Sequence, residues 1–310
     1  MIGTWREVQG IWHRRQAAPS YQFDTPPLQK QSVLVESKSP ICRHKPKARS
    51  NRDRLNWEEP MSRQKVLITG MSGLIGQVVA NRLEATCDLS ALNRRLVEGV
   101  TCHQADIADL EAIRPAFDNI DVVVHLAAAI QADWNGFLQS NIIGTYNVFE
   151  AARQAGVKRI IYASSGAVIS GHEKQSPYRE MTQGEYEKVP LTWSNLTHET
   201  PIWPQGIYGC TKVWGEALAR YFSDSSNLSV ICLRIGAVNA EDRPHQNRQF
   251  SVYCSQDNIA GMVEACVQAP DSVKFDIFYV VSNNNWSYRD MEHAREVLGY
   301  QPQGCAEDYR

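Results

Sequence analysis

The 310-residue chain has no apolar run near the roughly 20 residues a membrane-spanning helix needs, so the sequence offers no candidate span. It has little net charge, −2 at pH 7, and even that figure is a compromise. Residues 1–60 carry 11 Lys/Arg and 6 Asp/Glu, whereas the remainder carries 21 basic and 28 acidic residues. An acidic body speaks against a nucleic-acid-binding core, and no nucleic-acid or membrane partner is expected. No two of the eight cysteines (Cys42, Cys87, Cys102, Cys210, Cys232, Cys254, Cys266, Cys305) have CxxC spacing, and several sit in apolar runs such as "SVICLRI". This excludes a zinc knuckle and a disulfide framework. Free thiols in a reducing, cytoplasmic setting are expected.

Residues 1–60 also lack any sustained period of 2 or 3.6, as in "DTPPLQKQ" and "CRHKPKARSNRDR". They read as a disordered N-terminal extension. The segment is basic, as a transit peptide is, but acids and prolines run through it and no Arg/Ser amphipathic helix stands out. Met61 directly precedes the first ordered strand, the pattern left by a start assigned too far upstream.

From Gln64 onward, short apolar strands alternate with helices. "KVLITG", "LSALNR", "DVVVHLAA", "RIIYASS" and "LSVICLRIG" read as strands. "LIGQVVANRLEA", "DLEAIRPAF", "FLQSNIIGTYNVFEAARQAG" and "KVWGEALARYFSD" read as helices, the third ending at a C-cap glycine, Gly156. Continuous apolar strands between helices predict an α/β fold, a doubly wound parallel sheet of the Rossmann kind. Residues 61–235 form the dinucleotide-binding domain in this reading, and 236–310 a small substrate-binding portion. One segment breaks the rhythm: Gly171 to Gln205 is polar with four prolines, and reads as a structureless loop, either a lid or a surface excursion.

The chemistry begins at "TGMSGLIG", where Gly70, Gly73 and Gly76 follow a strand and open a helix. Glycines there let the backbone approach a pyrophosphate, and the helix N-terminus offers free N–H groups. The end of the second strand reads "ALNRR". An acid there would hold a ribose hydroxyl and favour NAD. Asn93 does not repel a 2′-phosphate, and Arg94 and Arg95 could pair with one, which tilts the reading toward NADP over NAD. The alternative leaves the arginines solvated, with Asn93 on the ribose. In "ADIAD", Asp106 either accepts from the adenine amino group or caps the next helix. Tyr208 and Lys212 in "GIYGCTK" are four residues apart and share a helix face. They are a packed tyrosine and a solvated lysine unless a cofactor lies beside them.

Taken in order, "TGMSGLIG", "ADIAD", "HLAAA", "NIIGTYNVFEAA", "YASS" and "YGCTK" resemble the extended short-chain dehydrogenase/reductase group, the epimerase/dehydratase superfamily. The resemblance implies a catalytic set of Ser165, Tyr208 and Lys212. Tyr208 would be the general acid/base, its phenolate favoured by Lys212 and the nicotinamide, and Ser165 would bond the reacting substrate oxygen. It also implies a cofactor cleft made by Gly70, Ser72, Gly73, Leu74, Ile75 and Gly76, then Asn93, Arg94, Asp106 and Ile107. Leu126, Ala127, Ala128, Asn141 and Ile235 complete it with Tyr208 and Lys212.

Only 75 residues follow Ile235, which suits a small sugar better than a nucleotide sugar. Within the superfamily the chain is most similar to uronate dehydrogenases, through "GIYGCTKVWGEALARYF", "NRQFSVYCSQDN" and "LGYQPQGCAED". That likeness implies that Arg248 binds a substrate carboxylate. Gly166 and Ala237 depart from the pattern, which has asparagine and serine there. The expected function is hydride transfer between nicotinamide and a sugar or sugar acid. A sugar epimerase or dehydratase with retained cofactor is the alternative, and a non-catalytic dinucleotide sensor a second. Gly166 and Ala167 stand where a dehydratase usually carries an acidic pair. A homodimer is expected, because relatives pair through the helix bearing Tyr and Lys.

Overall fold

The structure, a computed structural model, describes residues 63–310. The expected N-terminal extension over 1–60, with Cys42, and the start at Met61 lie outside the described residues. Seven strands, all parallel, make one sheet in the order β3-β2-β1-β4-β5-β6-β7. They are β1 Gln64–Thr69, β2 Cys87–Asn93, β3 Thr101–Gln104, β4 Val122–His125, β5 Arg159–Ser165, β6 Ser229–Ile235 and β7 Phe275–Val280. The order reverses between β1 and β4, so the crevice for a ligand opens at their C-terminal ends. The α-helices are α1 Leu74–Leu83, α2 Leu110–Ile113, α3 Trp134–Gly136, α4 Gly144–Ala155, α5 Tyr178–Gln183, α6 Ile207–Ser225, α7 Gln249–Val252, α8 Gln256–Val267 and α9 Glu292–Leu298. None is long and apolar enough to cross a membrane.

The apolar runs form strands because both sheet faces are covered. On one face Val66, Ile68, Val122 and Leu233 pack with Val79 and Leu83 of α1 and Ile259 and Met262 of α8. On the other, Leu67, Val123, Ile160 and Val230 pack with Val148 and Phe149 of α4 and Leu218 and Phe222 of α6. The C-terminal portion is thus also part of this layer, through α8 and β7. Arg159, buried at the start of β5, donates to the carbonyls of Cys266 at 3.1 Å and Ala269 at 2.6 Å. It closes the end of α8, where the free carbonyls favour a cation.

Two expectations about elements change. The helix expected from Phe137 begins as a wider π turn, Phe137–Ile143, before α4. Gly144 follows it, where an added Cβ would lie 2.5 Å from Ile107 Cγ1, so α4 can sit against the loop after β3. The segment 171–205 is not structureless. It continues a 3₁₀ stretch, Gly166–Lys174, and contains α5 and a 3₁₀ turn, Tyr186–Lys188. Val168, Ile169, Met181 and Leu196 build a third apolar cluster with Val252, Tyr279 and Tyr288. Leu196 is tied to the C-terminal portion on both sides: its N–H donates to Tyr288 O at 2.7 Å, and its carbonyl accepts from Asp290 N at 3.0 Å. Periodicity could not reveal this order, because the partners come from about 90 residues downstream.

Candidate active site

The glycine loop shows why its residues cannot be larger. Gly70 has φ +73°, and a Cβ there would meet Ala127 N at 2.8 Å. A Cβ on Gly76 would lie 2.5 Å from Gly70 O. The loop therefore hugs both the segment just after β4 and its own helix. α1 starts at Gly73 with no side-chain cap and no acid in its first turn, so its N–H groups are available to an anion. A cavity of about 560 Å³ opens above it. Its walls include Gly70, Ser72, Gly73, Leu74, Ile75 and Gly76, then Asn93, Arg94, Asp106, Ile107, Leu126, Ala127 and Ala128, and finally Ser165, Tyr208, Lys212 and Ile235. Glycines that no side chain could replace, an uncapped helix start and a long cleft fit a dinucleotide.

At the far end of β2, Asn93 is buried and donates to Ser72 Oγ and to Arg95 O, both at 2.9 Å. It locks the loop to the strand end while Arg94 and Arg95 stay exposed on the rim. Asp106 accepts from Ala108 N at 3.0 Å within its own turn, and the cap of α2 is Asp109 instead. Asn141 is the one expected cofactor residue outside the cleft wall. Its amide bonds Ala129 N at 2.8 Å, Ala129 O at 2.9 Å and Thr211 Oγ1 at 3.0 Å. Thr211 in turn donates to Tyr208 O at 2.8 Å. Asn141 thus reaches the cleft through the backbone of Tyr208 and the Ala128–Ala129 wall.

Ser165 ends β5 and Tyr208 and Lys212 open α6, so the three meet where the sheet delivers its C-terminal edge. Lys212 is buried, donates to Ala163 O at 2.8 Å, and lies 5.6 Å from the centre of the Tyr208 ring. Burial lowers its pKa to about 8. Burial raises that of Tyr208, with the Ser165 hydroxyl opposing the shift. The protein alone therefore keeps Tyr208 a phenol at neutral pH. The protein's own groups thus do not supply the phenolate expected from Lys212. Beneath them His125 is held neutral, its pKa lowered to about 3 by burial and then by Lys212. Its ring nitrogens face Thr69 Oγ1 at 2.7 Å and Thr145 Oγ1 at 3.4 Å.

The sequence reading missed the group that fixes α6. Glu216, one turn after Lys212, accepts from Arg234 Nε and Nη2 at 2.9 Å each and from Ser164 Oγ at 2.6 Å. All three are buried. The available signals were the i+4 spacing from Lys212 and a charged residue inside the apolar run of β6.

Beyond Ser165 a second recess, about 370 Å³, shares Ser165, Ile235, Gly236 and Ala237 with the cleft. Arg248 borders it, as expected of a substrate residue, but its fork is already occupied. Nε donates to Glu173 Oε2 at 2.6 Å and Nη2 to Oε1 at 2.7 Å. Tyr288 OH also donates to Oε1, at 2.6 Å. A bidentate substrate clamp through that edge would first have to displace Glu173. Arg289 lines the same recess. Glu173, Tyr288 and Arg289 were not singled out from sequence, because they come from segments read as loop and tail.

A parallel sheet with a glycine-lined crevice at its switch point and a Ser–Tyr–Lys set beside it defines a short-chain dehydrogenase/reductase of the extended type. The comparisons agree: the model of the NAD dependent epimerase/dehydratase family matches residues 66–256, and the chain belongs to that family. The chain is similar to NAD-dependent glucose-6-phosphate dehydrogenase of Haloferax volcanii, at 30% identity over 79% of this chain and 95% of the relative. It is likewise similar to uronate dehydrogenase of Agrobacterium fabrum, at 31% identity over 80% and 87%. Among solved structures, uronate dehydrogenase from Agrobacterium tumefaciens superposes with a TM-score of 0.68 at 29% identity, covering 80% of this chain and 87% of that one. A mutant of that enzyme complexed with NAD matches at 28% identity and the same TM-score, over 80% and 88%.

Proposed function

We propose that the chain oxidises a sugar or sugar acid at a hydroxyl-bearing carbon, using a nicotinamide dinucleotide held along the glycine loop. The observation that carries this reading is the meeting of Ser165, Tyr208 and Lys212 at the inner end of the cleft. When bound, the nicotinamide supplies the hydride acceptor, and the rest is work for the chain's own groups. Ser165 holds the substrate oxygen by a hydrogen bond. Tyr208 takes the hydroxyl proton onto its phenolic oxygen. Lys212, anchored to Ala163 O, keeps a cation one helical turn away, where it favours the phenolate and can hold ribose hydroxyls. Asn141 and Thr211 fix the backbone of Tyr208, and Glu216 with Arg234 fixes the helix.

Similarity to enzymes named for uronate, glucose 6-phosphate and arabinose supports a small sugar substrate. Arg94 and Arg95 on the rim, with no acid at Asn93, support acceptance of NADP beside NAD and a preference for it. Exposed Tyr146 on α4 and Trp214 and Tyr221 on α6 support a homodimer through these helices. Free thiols at all seven described cysteines fit the reducing compartment of a cytoplasmic enzyme. The test is to incubate the purified chain with NAD or NADP and a panel of aldoses and uronates, following absorbance of the reduced cofactor. Net reduction is expected. Sugar interconversion without net reduction would assign an epimerase instead.

A further inference from the structure

The recess beyond Ser165 holds two guanidinium groups and one carboxylate. Glu173 is fully engaged, by both nitrogens of the Arg248 fork and by Tyr288. Arg289 is left over. Only 2% of it is exposed, and its Nε and Nη1 are sealed from solvent with no hydrogen-bond partner among the described residues. Its guanidinium carbon lies 6.0 Å from the ring centres of Tyr279 and of Tyr288. Those rings shape its surroundings but cannot neutralise it. An arginine does not shed its proton; the Glu173 carboxylate acts on it through space but is bonded to Arg248 and Tyr288, and a buried charge with no hydrogen-bonded anion of its own is costly. The recess is one negative charge short.

Gly166 shows how this chain makes the room. A Cβ on Gly166 would lie 2.1 Å from Arg289 Nη2 and 2.5 Å from its guanidinium carbon. Any side chain at that position, directly after Ser165, would force the guanidinium out of its present place. The bare glycine at 166 and the burial of Arg289 are one feature of the site. The recess shares Ser165 with the cofactor cleft, so a group bound there adjoins the residue assigned to the reacting oxygen.

We propose that Arg289 is the anion-binding and specificity-determining residue of the substrate site, and that the substrate is a sugar carrying a carboxylate or phosphate away from its reacting carbon. Arg248 then serves as a positioning residue that takes up both oxygens of Glu173, so that Arg289 makes no hydrogen bond to that carboxylate. The proposal rests on the dehydrogenase reading for the kind of ligand, and the test separates the two. The NADH-loaded protein, which cannot oxidise sugar, is titrated calorimetrically with D-glucuronate, D-glucose 6-phosphate and D-glucose. At least one anion should bind about tenfold or more tighter than glucose, and which one does so distinguishes carboxylate from phosphate. Arg289→Gln should erase that preference, while the exposed control Arg295→Gln keeps it. Gly166→Ala should erase it as well, which decides the matter should Arg289→Gln fail to fold. Three sugars binding alike or not at all, or a preference that survives in Arg289→Gln or Gly166→Ala, overturns the proposal. Turnover with NAD is measured separately. Anion preference without oxidation of any sugar would break the dehydrogenase reading and leave the subsite standing.

Discussion

The dinucleotide cleft and the recess beyond Ser165 lie side by side, share four residues, and are built on different principles. The cleft is mostly backbone: a left-handed glycine against Ala127, an uncapped helix start, and strand ends in parallel register. The recess is mostly side chain. Glu173, Arg248 and the adjacent pair Tyr288 and Arg289 come from three separate stretches and define the space by their charges and rings. A backbone site tolerates loss of most single side chains. A side-chain site changes its ligand when one of them changes, which suits a fold whose members share a cofactor and differ in substrate.

The strongest way to break this comparison is Tyr208→Phe. Removing the phenolic oxygen should lower turnover by about 10²–10⁴-fold, the usual loss for a missing general acid/base. NAD binding, carried by the loop backbone, should change little. Turnover and a fluorescence titration of cofactor on the same protein check both halves. If cofactor binding collapses together with turnover, the cleft depends on its side chains after all.

Next in size is Glu216→Gln, behind Ser164 of the cleft wall. It leaves Arg234 buried without its anion and should destabilise the fold by about 3–5 kcal/mol, read from denaturant midpoints. A loss below 1 kcal/mol would mean that Tyr279 OH, 3.0 Å from Arg234 Nη1, suffices as partner.

Lys212 allows a test with a definite pH signature. Its folded pKa is about 8 against an ordinary 10.5. Between those values the unfolded chain binds more protons, so Lys212 makes stability rise with pH over that window. Below pH 8 the penalty for burying the charge is fully present, about 3 kcal/mol at most. Lys212→Met should therefore be inactive yet more stable than wild type at pH 7, with the advantage shrinking to nothing as pH approaches 10.5. Equal or lower stability at pH 7 would show that the bond to Ala163 O offsets the burial.

These contrasts also explain what could be read from the sequence. The strand–turn–helix around Gly70 is local, so its chemistry is written in consecutive letters. The spacing of Tyr208 and Lys212 is local too, and fourteen of the fifteen cleft residues expected besides those two lie on its wall. Asn141 is the exception, because which way a buried amide points depends on where Ala129 and Thr211 lie. The recess was illegible for the same reason magnified. Glu173 and Arg248 are 75 residues apart, Glu173 and Tyr288 115 apart, and no period links them. Arg248 was found through family likeness, which carried its address but not the carboxylate that this chain places in its fork.

The smallest expected effect sharpens the comparison at the rim of the cleft, where side chains and not backbone are proposed to choose the cofactor. Arg94 and Arg95 are exposed on the rim after β2, and Asn93 beneath them is occupied with Ser72 and the Arg95 carbonyl. β2 itself ends in Asn93 and not in an acid, and the acid on the neighbouring wall, Asp106, is bonded to Ala108 N. Because these arginines are solvated when free, their gain on meeting a phosphate is diminished by the water they give up and screened by salt. A charged hydrogen bond formed there contributes about 1.5–3 kcal/mol before that discount, or roughly ten- to a hundredfold in affinity, and the discount leaves about the low end of that range. Replacing both with alanine should thus weaken NADP about tenfold, leave NAD within about twofold, and flatten the salt dependence of NADP binding. The measurement is the dissociation constant of each cofactor at low and moderate salt, in wild type and in Arg94→Ala/Arg95→Ala. Equal losses for the two cofactors would mean that the rim arginines do not read the phosphate and that backbone alone sets cofactor choice.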